Sequence, residues 1–410
     1  MVAQVWQAVG SFGLQLLAAW LLGASGLGLL SLCLSIIILA TALTSGMVGD
    51  SLVVLDRRSR AIRAGLQFWA MVLAVTSFAV TVVVLPANGL LTPLEALLMG
   101  LALVAFQLEE LVRRVFMATM HFWRLVIIDS AAVVSAFAVV GIWAPIEPVT
   151  ITTFFIALGV GQLIGIGVGV AMLPASERTL VSLRGAAIRT VAGFGGWRGA
   201  QVSVAPLVFT AMRVAVTAAA GAAALGQLEL ARIYVAPLLL SVQGLGSYLL
   251  STYVRDNDFA LPVLTRRAWR ASLGMVIGAL ASGAVIVWVA PIVSAVVARP
   301  DIPLDRLAVA GWVLYVAALA SLQPFASLAA TRGRPALVFR CRLVDAIFVV
   351  TLVPLLLGLG VSVSWTPFIL AAGLVLGGTL VRHFALKPLS NYQPRRSAGF
   401  IRSRILHASF

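Results

Sequence analysis

The sequence predicts an all-α polytopic membrane protein of about twelve transmembrane helices, arranged as two parallel six-helix lobes with cytoplasmic N and C termini. The prediction rests on composition, on long apolar runs and on the distribution of basic residues. Of the 410 residues, 61% are hydrophobic and 10% are charged, and the mean hydropathy is +1.07. In soluble domains about one quarter of the residues are charged, and a soluble fold this apolar would expose large apolar surface patches. A soluble enzyme, a disulfide scaffold and a disordered regulator are therefore excluded.

Twelve apolar runs are long enough to cross the hydrocarbon core of a bilayer, which takes about 20 residues. The first is interpreted as a retained span and not as a signal peptide, because no Lys or Arg precedes residue 57. Only short loops remain outside the runs, so no sizeable soluble domain is predicted. The runs, called spans 1 to 12, cover approximately 3–22, 27–54, 65–86, 94–118, 125–143, 151–172, 191–218, 222–250, 269–290, 304–328, 341–360 and 367–386.

The basic residues favour one side of the membrane. The net charge is +15, from 29 Lys and Arg against 14 Asp and Glu. Of these 29, 25 lie near the connections that follow even-numbered spans or at the C-terminal end, whereas the opposite connections hold only Arg299 and Arg306. The positive-inside rule makes the basic side cytoplasmic. In a soluble protein this charge would suggest nucleic acid, but topology and contact with the anionic lipid bilayer account for it here. No nucleic-acid partner is expected.

The two halves of the chain resemble each other. The segment "LGLLSL" at 27–32 matches "LGQLEL" at 225–230, an offset of 198 that also pairs Gly23 with Gly221. Each half has six spans, an even number, so the halves share one orientation. Two parallel bundles with a site between them is a plan used by transporters.

A second offset of 216 pairs Asp129 with Asp345, near the inner ends of spans 5 and 11. Because both halves carry this acid, we interpret it as bracing of the fold. The repeat predicts an N-lobe over 1–190, a C-lobe over 191–390 and a basic cytoplasmic tail over 391–410.

Ionisable residues inside a membrane are costly and usually mark a pathway or an ion pair. Arg213 in span 7 and Glu229 in span 8 each lie eight residues from Gly221, the expected turn. A rise of 1.5 Å per residue puts both about 12 Å from that turn. Arg232 is three residues from Glu229 and shares its helix face. One arginine can be neutralised by Glu229, which leaves the other for a phosphate or pyrophosphate group. The alternative is a structural ion pair whose spare arginine reaches outward.

A second set of charged residues lies near the predicted inner face and is a candidate gate or cavity wall. Asp50 either faces the cavity or pairs with Arg57. The others are spaced three or four residues apart on span 4, which permits mutual pairing, and a neutralised structural network is the alternative to a gate. The set comprises Asp50, Glu109, Glu110, Arg113 and Arg114.

The sequence contains little that points to catalysis. The histidines, His121, His383 and His407, are scattered without the spacing of metal ligands. A phosphate-binding loop of the Walker type is absent from the sequence. We therefore expect no catalytic residues, no metal and no cofactor.

Three features together resemble the polysaccharide-exporter branch of the multidrug/oligosaccharidyl-lipid/polysaccharide (MOP) superfamily. They are "AWLLGASGLGLLSLCLSIIILATALTSGMVGDSLVV", "QLEELVRRVFMA" followed by Asp129, and the plan of six plus six spans. The resemblance implies a V-shaped, two-lobed bundle with a cationic cavity lined by spans 1 and 7, which suits Arg213. In one respect the sequence departs from drug exporters of the superfamily, which often keep an acid in span 1. Span 1 here has no charged residue and carries Gln4, Gln7 and Gln15 instead.

The resemblance implies a transporter that flips a polyprenyl-(pyro)phosphate-linked oligosaccharide, or a related polysaccharide precursor, by alternating access. A cation-coupled drug antiporter and a non-transporting scaffold for polysaccharide synthesis are the alternatives. Implied partners are the lipid-linked sugar, the bilayer, and a polysaccharide polymerase or glycosyltransferases. The preference for Arg over Lys, 28 to 1, with abundant Ala and Val, indicates a GC-rich bacterial genome and hence the bacterial cytoplasmic membrane.

Overall fold

The computed structural model describes residues 2–56, 58–178, 181–256, 259–297, 304–332 and 335–386. Within these ranges the chain is helical and contains no strand. The predicted basic tail at 391–410, like Arg57 and Arg299, lies outside the described residues. The long helices are α1 (Val2–Thr44), α3 (Arg60–Ala87), α4 (Pro93–Ala118), α5 (Phe122–Trp143), α6 (Ile151–Met172), α7 (Ile188–Arg255), α8 (Leu261–Val297), α9 (Arg306–Thr331), α10 (Pro335–Gly358) and α11 (Thr366–Leu380). The short helix α2 (Asp50–Val54) follows a π-helical turn at Ser45–Gly49. A second π-helical turn at Val381–Leu386 extends α11.

The predicted spans are present as helices. Among the described residues, nine helices are long and apolar enough to cross a membrane. Two of these, α1 and α7, each hold two spans, because their backbones break at Gly23 and Gly221. Helix α4 supplies span 4, whose inner end carries the predicted charged residues. The all-α, polytopic prediction is confirmed.

The internal repeat is visible in the backbone. Gly23 and Gly221, which are 198 residues apart, have φ of 71° and 84°, the left-handed region open to glycine. A Cβ atom built on Gly28 would overlap the carbonyl oxygen of Ala222, and one built on Gly226 would overlap that of Ala24. Since Gly28 pairs with Gly226 and Ala24 with Ala222 at the same offset, the two contacts are equivalent under the internal repeat. Spans 2 and 8 therefore cross about a pseudo-two-fold axis near the predicted outer end.

Span 2 also meets the second half at its predicted inner end. A Cβ atom on Gly46 would lie 2.7 Å from the Cα atom of Gly199, and one on Gly195 would overlap the carbonyl oxygen of Met47. Small residues let membrane helices approach this closely. The π-helical turn at Ser45–Gly49 falls at this crossing, a type of irregularity that is frequent at functional sites. Contacts at both ends of span 2 hold the halves together here, where the resemblance implied an open V.

The buried side chains form two main clusters that largely follow the two halves. One runs from Leu14 to Leu158 with Leu230 and Ile233, and the other runs from Met212 to Leu386 with Leu32. The division into an N-lobe over 1–190 and a C-lobe over 191–390 stays a prediction.

Candidate functional site

Arg213, Glu229 and Arg232 meet in one buried cluster, as the hairpin geometry predicted. Arg213 donates from Nε to Glu229 Oε1 at 2.8 Å and from Nη2 to Oε2 at 3.2 Å, a bidentate pair. Arg232 donates from Nε to Glu229 Oε2 at 2.6 Å. The Glu229 side chain is 0% exposed, whereas those of Arg213 and Arg232 are 8% and 19% exposed. Two guanidinium groups around one carboxylate leave a net positive charge inside the bundle.

The structure adds a fourth member to this cluster, Gln15 of span 1. Its Oε1 atom accepts a hydrogen bond from Arg232 Nη2 at 2.7 Å. Its Nε2 atom donates to Ser11 Oγ at 3.2 Å, which orients the amide. Gln15 comes from the first half of the chain and Arg232 from the second, so the cluster lies at the seam between the halves. We name these residues (Gln15, Arg213, Glu229 and Arg232) the central cluster.

The pairing within the central cluster differs from the expected one. The sequence suggested that Glu229 would neutralise one arginine and leave the other without a partner. Instead, Glu229 binds both arginines, and Arg232 also binds Gln15. The reason is geometric, because a fully buried carboxylate has two oxygens and several lone pairs to satisfy. The cluster still carries one positive charge in excess.

An aromatic group backs the central cluster and was missed in the sequence. The guanidinium carbon of Arg213 lies 5.7 Å from the ring centroid of Phe209, within cation–π range. Phe209 stacks on Trp312 at 6.2 Å and meets Tyr315 edge-on at 5.8 Å. Trp312 Nε1 donates to the carbonyl oxygen of Leu228 at 3.0 Å, which fixes span 10 against span 8. The sequence could have indicated Trp312, because it lies mid-span, away from the bilayer interfaces where tryptophan is enriched.

The second candidate set also forms a network, with a partner the sequence did not indicate. Asp50 binds Arg114 at 2.9 Å and Arg198 at 2.7 Å, and Arg114 also binds Glu110 at 2.7 Å and the Ser45 hydroxyl. Arg198 belongs to span 7, so Asp50 of span 2 bridges the two halves at the predicted inner face. We name Asp50, Glu110, Arg114 and Arg198 the inner network.

The remaining predicted residues lie deeper in the first half. Arg113 is 3.8 Å from Glu110 and has its Nε atom 3.4 Å from Asp129 Oδ1. The side chain of Glu109 is also buried, and a Cβ atom on Gly165 would lie 3.7 Å from its Oε1 atom. These contacts place carboxylates of spans 4 and 5 around one arginine. Within the described part of the chain, no group of three or more His, Cys, Asp and Glu is arranged to hold a metal ion.

The repeat partner of Asp129 has a pair of its own. Asp345 Oδ2 lies 2.7 Å from Arg342 Nη1, beside a small cavity of about 30 Å³ lined by residues of spans 7, 10, 11 and 12. Each half therefore ties its matched aspartate to an arginine, consistent with the bracing interpretation.

Removal of the Asp50–Arg198 ion pair at the predicted inner face should lower the free energy of unfolding only modestly. The Arg198 side chain is 44% exposed, and exposed pairs contribute about 0.2–1 kcal/mol. We expect Asp50→Ala to destabilise more than Arg198→Ala, because Asp50 also binds Arg114. A double-mutant cycle on the unfolding free energy measures the pair itself. A coupling well above about 1 kcal/mol would contradict a screened pair, and no coupling would show that this ion pair does not stabilise the contact between the halves.

Comparison with known proteins places the fold. No protein-family model matches the sequence, and no curated protein matches it at a significant level. Solved structures do match. The lipid II flippase MurJ, in an inward closed conformation, aligns with a TM-score of 0.73 at 10% identity, over 93% of this chain and 86% of that one. An inward-facing multidrug resistance MATE family transporter of the MOP superfamily aligns with a TM-score of 0.66 at 14% identity, over 94% and 96%.

The chain has the fold of the MOP transporters. A third neighbour, a MOP superfamily transporter from Pyrococcus furiosus described by the reverse polarity of its binding pocket, aligns with a TM-score of 0.57 at 14% identity, over 92% of both chains. The likeness covers nearly the whole chain, and identities this low establish the fold alone. The MOP fold and the apolar helices make this a multi-pass membrane protein, and the neighbours include both drug transporters and a lipid flippase.

Proposed function

We propose that this MOP-fold protein flips a polyprenyl-(pyro)phosphate-linked oligosaccharide, or a related polysaccharide precursor, across the bacterial cytoplasmic membrane. The observation that carries the proposal is the central cluster, a buried group with excess positive charge at the seam between the halves. The phosphate charge is one part of the energetic barrier to moving such a lipid, because hydrocarbon offers no counter-charge. Guanidinium groups match phosphate oxygens in geometry as well as in charge.

The arrangement also lowers the desolvation cost of burying the two arginines before the substrate binds. Two unpaired arginines inside the bundle would each bear the full desolvation penalty. Glu229 offsets part of this penalty while the site is empty, and the cluster retains one net charge for the incoming phosphate. The sugar is then carried between the halves while the lipid tail stays in the bilayer, and alternate opening of the halves exposes the site to each leaflet.

A reconstituted flipping assay tests the proposal. Vesicles would contain the purified protein and a fluorescent polyprenyl-pyrophosphate-linked sugar, and an impermeant quencher would report the fraction in the outer leaflet. We expect Arg213→Ala and Arg232→Ala each to slow flipping at least about tenfold, since a hydrogen bond to a charged group contributes about 1.5–3 kcal/mol. Arg213→Lys, which keeps the charge and loses the bidentate geometry, should be intermediate.

Arg189→Ala is the matched control, because Arg189 is exposed at the start of the same helix, α7, and lies outside the central cluster. It should flip at the wild-type rate. If Arg213→Ala, Arg213→Lys and Arg232→Ala remained folded and flipped at the rate of Arg189→Ala, the proposed site would be wrong.

A cation-coupled drug antiporter is a second candidate function, favoured by the MATE neighbours and by a specific feature. Glu109 and Asp129 are both buried in the first half, where Asp129 lies 3.4 Å from Arg113, and buried carboxylates are a usual site of cation coupling in membrane transporters. In the same vesicles, an antiporter would move a cationic dye against a proton or sodium gradient and leave the lipid-linked sugar in place.

A scaffold that assists a polysaccharide polymerase or glycosyltransferases is the alternative from a different class. Such a protein would neither flip the lipid-linked sugar nor move the dye in purified vesicles. Deletion from the native cell would separate the candidates again, because loss of a flippase leaves lipid-linked oligosaccharide on the inner leaflet.

A further inference from the structure

The hydrogen bond between Gln15 and Arg232 joins span 1 to span 8 through the central cluster. We propose that Gln15 is a tie between the two halves that the substrate anion displaces: a phosphate at Arg232 takes the Nη2 donor that Gln15 occupies and so releases span 1 from span 8. This inference rests on the proposed function. It adds the step by which substrate binding at Arg232 lets the two halves move apart.

Within the central cluster, Gln15 is the exchangeable partner of the arginines. Glu229 is 0% exposed, and both of its oxygens are held by guanidinium groups. Gln15 instead is half-buried and contacts Arg232, the more exposed of the two arginines. Its amide oxygen is a neutral acceptor, whereas phosphate oxygens are ionised and form hydrogen bonds about twice as strong. An entering phosphate therefore replaces Gln15 in preference to Glu229.

The internal repeat places Gln15 at the position that matches Arg213. Gln15 and Arg213 occupy matched positions, 198 residues apart and each eight residues before the glycine that breaks its helix. In the second half this position holds an arginine that binds Glu229 within its own half. In the first half it holds a long neutral side chain that reaches across the seam. The Ser11 hydroxyl fixes the amide so that the oxygen points to Arg232. The result is a contact strong enough to orient span 1 and weak enough to be displaced.

Binding and distance measurements on the purified full-length protein test this tie. The probe is farnesyl pyrophosphate, with uncharged farnesol as the ligand control. Spin labels at Trp20→Cys in span 1 and Leu240→Cys in span 8, both exposed positions, report the separation of the halves. Cys33→Ala and Cys341→Ala remove the two native thiols, which are buried.

In the otherwise wild-type protein, farnesyl pyrophosphate should shift the label distance and farnesol should not. Gln15→Ala should show the shifted distance without ligand and bind farnesyl pyrophosphate about fivefold more tightly, because a larger fraction of the protein is binding-competent. Gln15→Glu should bind it at least about tenfold more weakly, because a carboxylate competes for Arg232 with full charge. Gln107→Ala is the matched control. Gln107 donates to Ala40, Thr44 and Ser77 within the first half, so its loss should change neither readout.

The tie is overturned if Gln15→Ala binds farnesyl pyrophosphate with unchanged or lower affinity, or if its ligand-free label distance equals that of the wild type. These failures differ from failure of the proposed function. If the wild type itself does not bind farnesyl pyrophosphate, the anion site is wrong and this inference falls with it. If the wild type binds normally while Gln15→Ala is unresponsive, only the tie is wrong.

Discussion

Glu229→Ala should destabilise the protein more than any other single removal of a carboxylate described above. Glu229 is fully buried, and its loss leaves the guanidinium groups of Arg213 and Arg232 together without a counter-charge. Breaking a buried ion pair from one side costs about 3–5 kcal/mol. We therefore expect a fall of about that size in the unfolding free energy, measured by denaturation of the purified protein in detergent.

Asp256→Ala is the matched control for this prediction. Asp256 binds Arg267 at 2.9 Å, much like the Glu229 pairs, but the Arg267 side chain is 47% exposed. Screening by water limits such pairs to about 1 kcal/mol or less. If Glu229→Ala were as stable as Asp256→Ala, Glu229 would not be the buried counter-charge of the two arginines that its 0% exposure indicates.

Gly28→Ala and Gly226→Ala should each destabilise the closed contact between spans 2 and 8. A single methyl group at either position would overlap a carbonyl oxygen of the opposite half. Overpacking of this kind costs about 1–3 kcal/mol. Because the two sites lie at one crossing and are related by the pseudo-two-fold axis, a first substitution that separates the helices should relieve the second. The double variant should then cost less than the sum of the single variants. Thermal denaturation followed by tryptophan fluorescence measures all three.

Two glycines of span 9 provide the control. A Cβ atom on Gly274 or Gly278 would meet nothing within 4 Å. Replacing a glycine in a helix interior by alanine is worth up to about 1 kcal/mol of stabilisation where space allows. Gly274→Ala and Gly278→Ala should therefore raise the midpoint of unfolding. If Gly28→Ala and Gly226→Ala also raised the midpoint of unfolding, the close contact between spans 2 and 8 would be contradicted.

The sequence predicted the fold because the membrane imposes simple requirements on it. A span must be long, apolar and helical. The repeat offset of 198 pairs Gly23 with Gly221, and the two glycines share a left-handed backbone conformation. The meeting of Arg213 and Glu229 followed from the same reasoning, since equal distances from a turn give equal depths. These inferences needed only local spacing.

The parts that escaped prediction all depend on contacts between distant segments. Gln15 is neutral and lies 217 residues from Arg232, and nothing local indicated that they meet. Its match to Arg213 at the repeat offset was the available signal. Arg198 was expected to serve topology and instead binds Asp50, 148 residues away. Trp312 lies in an apolar run, where hydropathy gives no contrast, and only its distance from the predicted bilayer interfaces set it apart.

The central claim is that the central cluster receives the phosphate of a lipid-linked substrate. The most direct test is an experimental structure of the purified protein with a polyprenyl-pyrophosphate-linked sugar bound. The account predicts phosphate density within about 3.2 Å of guanidinium nitrogens of Arg213 or Arg232, with Gln15 turned away from Arg232. Phosphate density elsewhere in the protein, with the Gln15–Arg232 hydrogen bond intact, would contradict it.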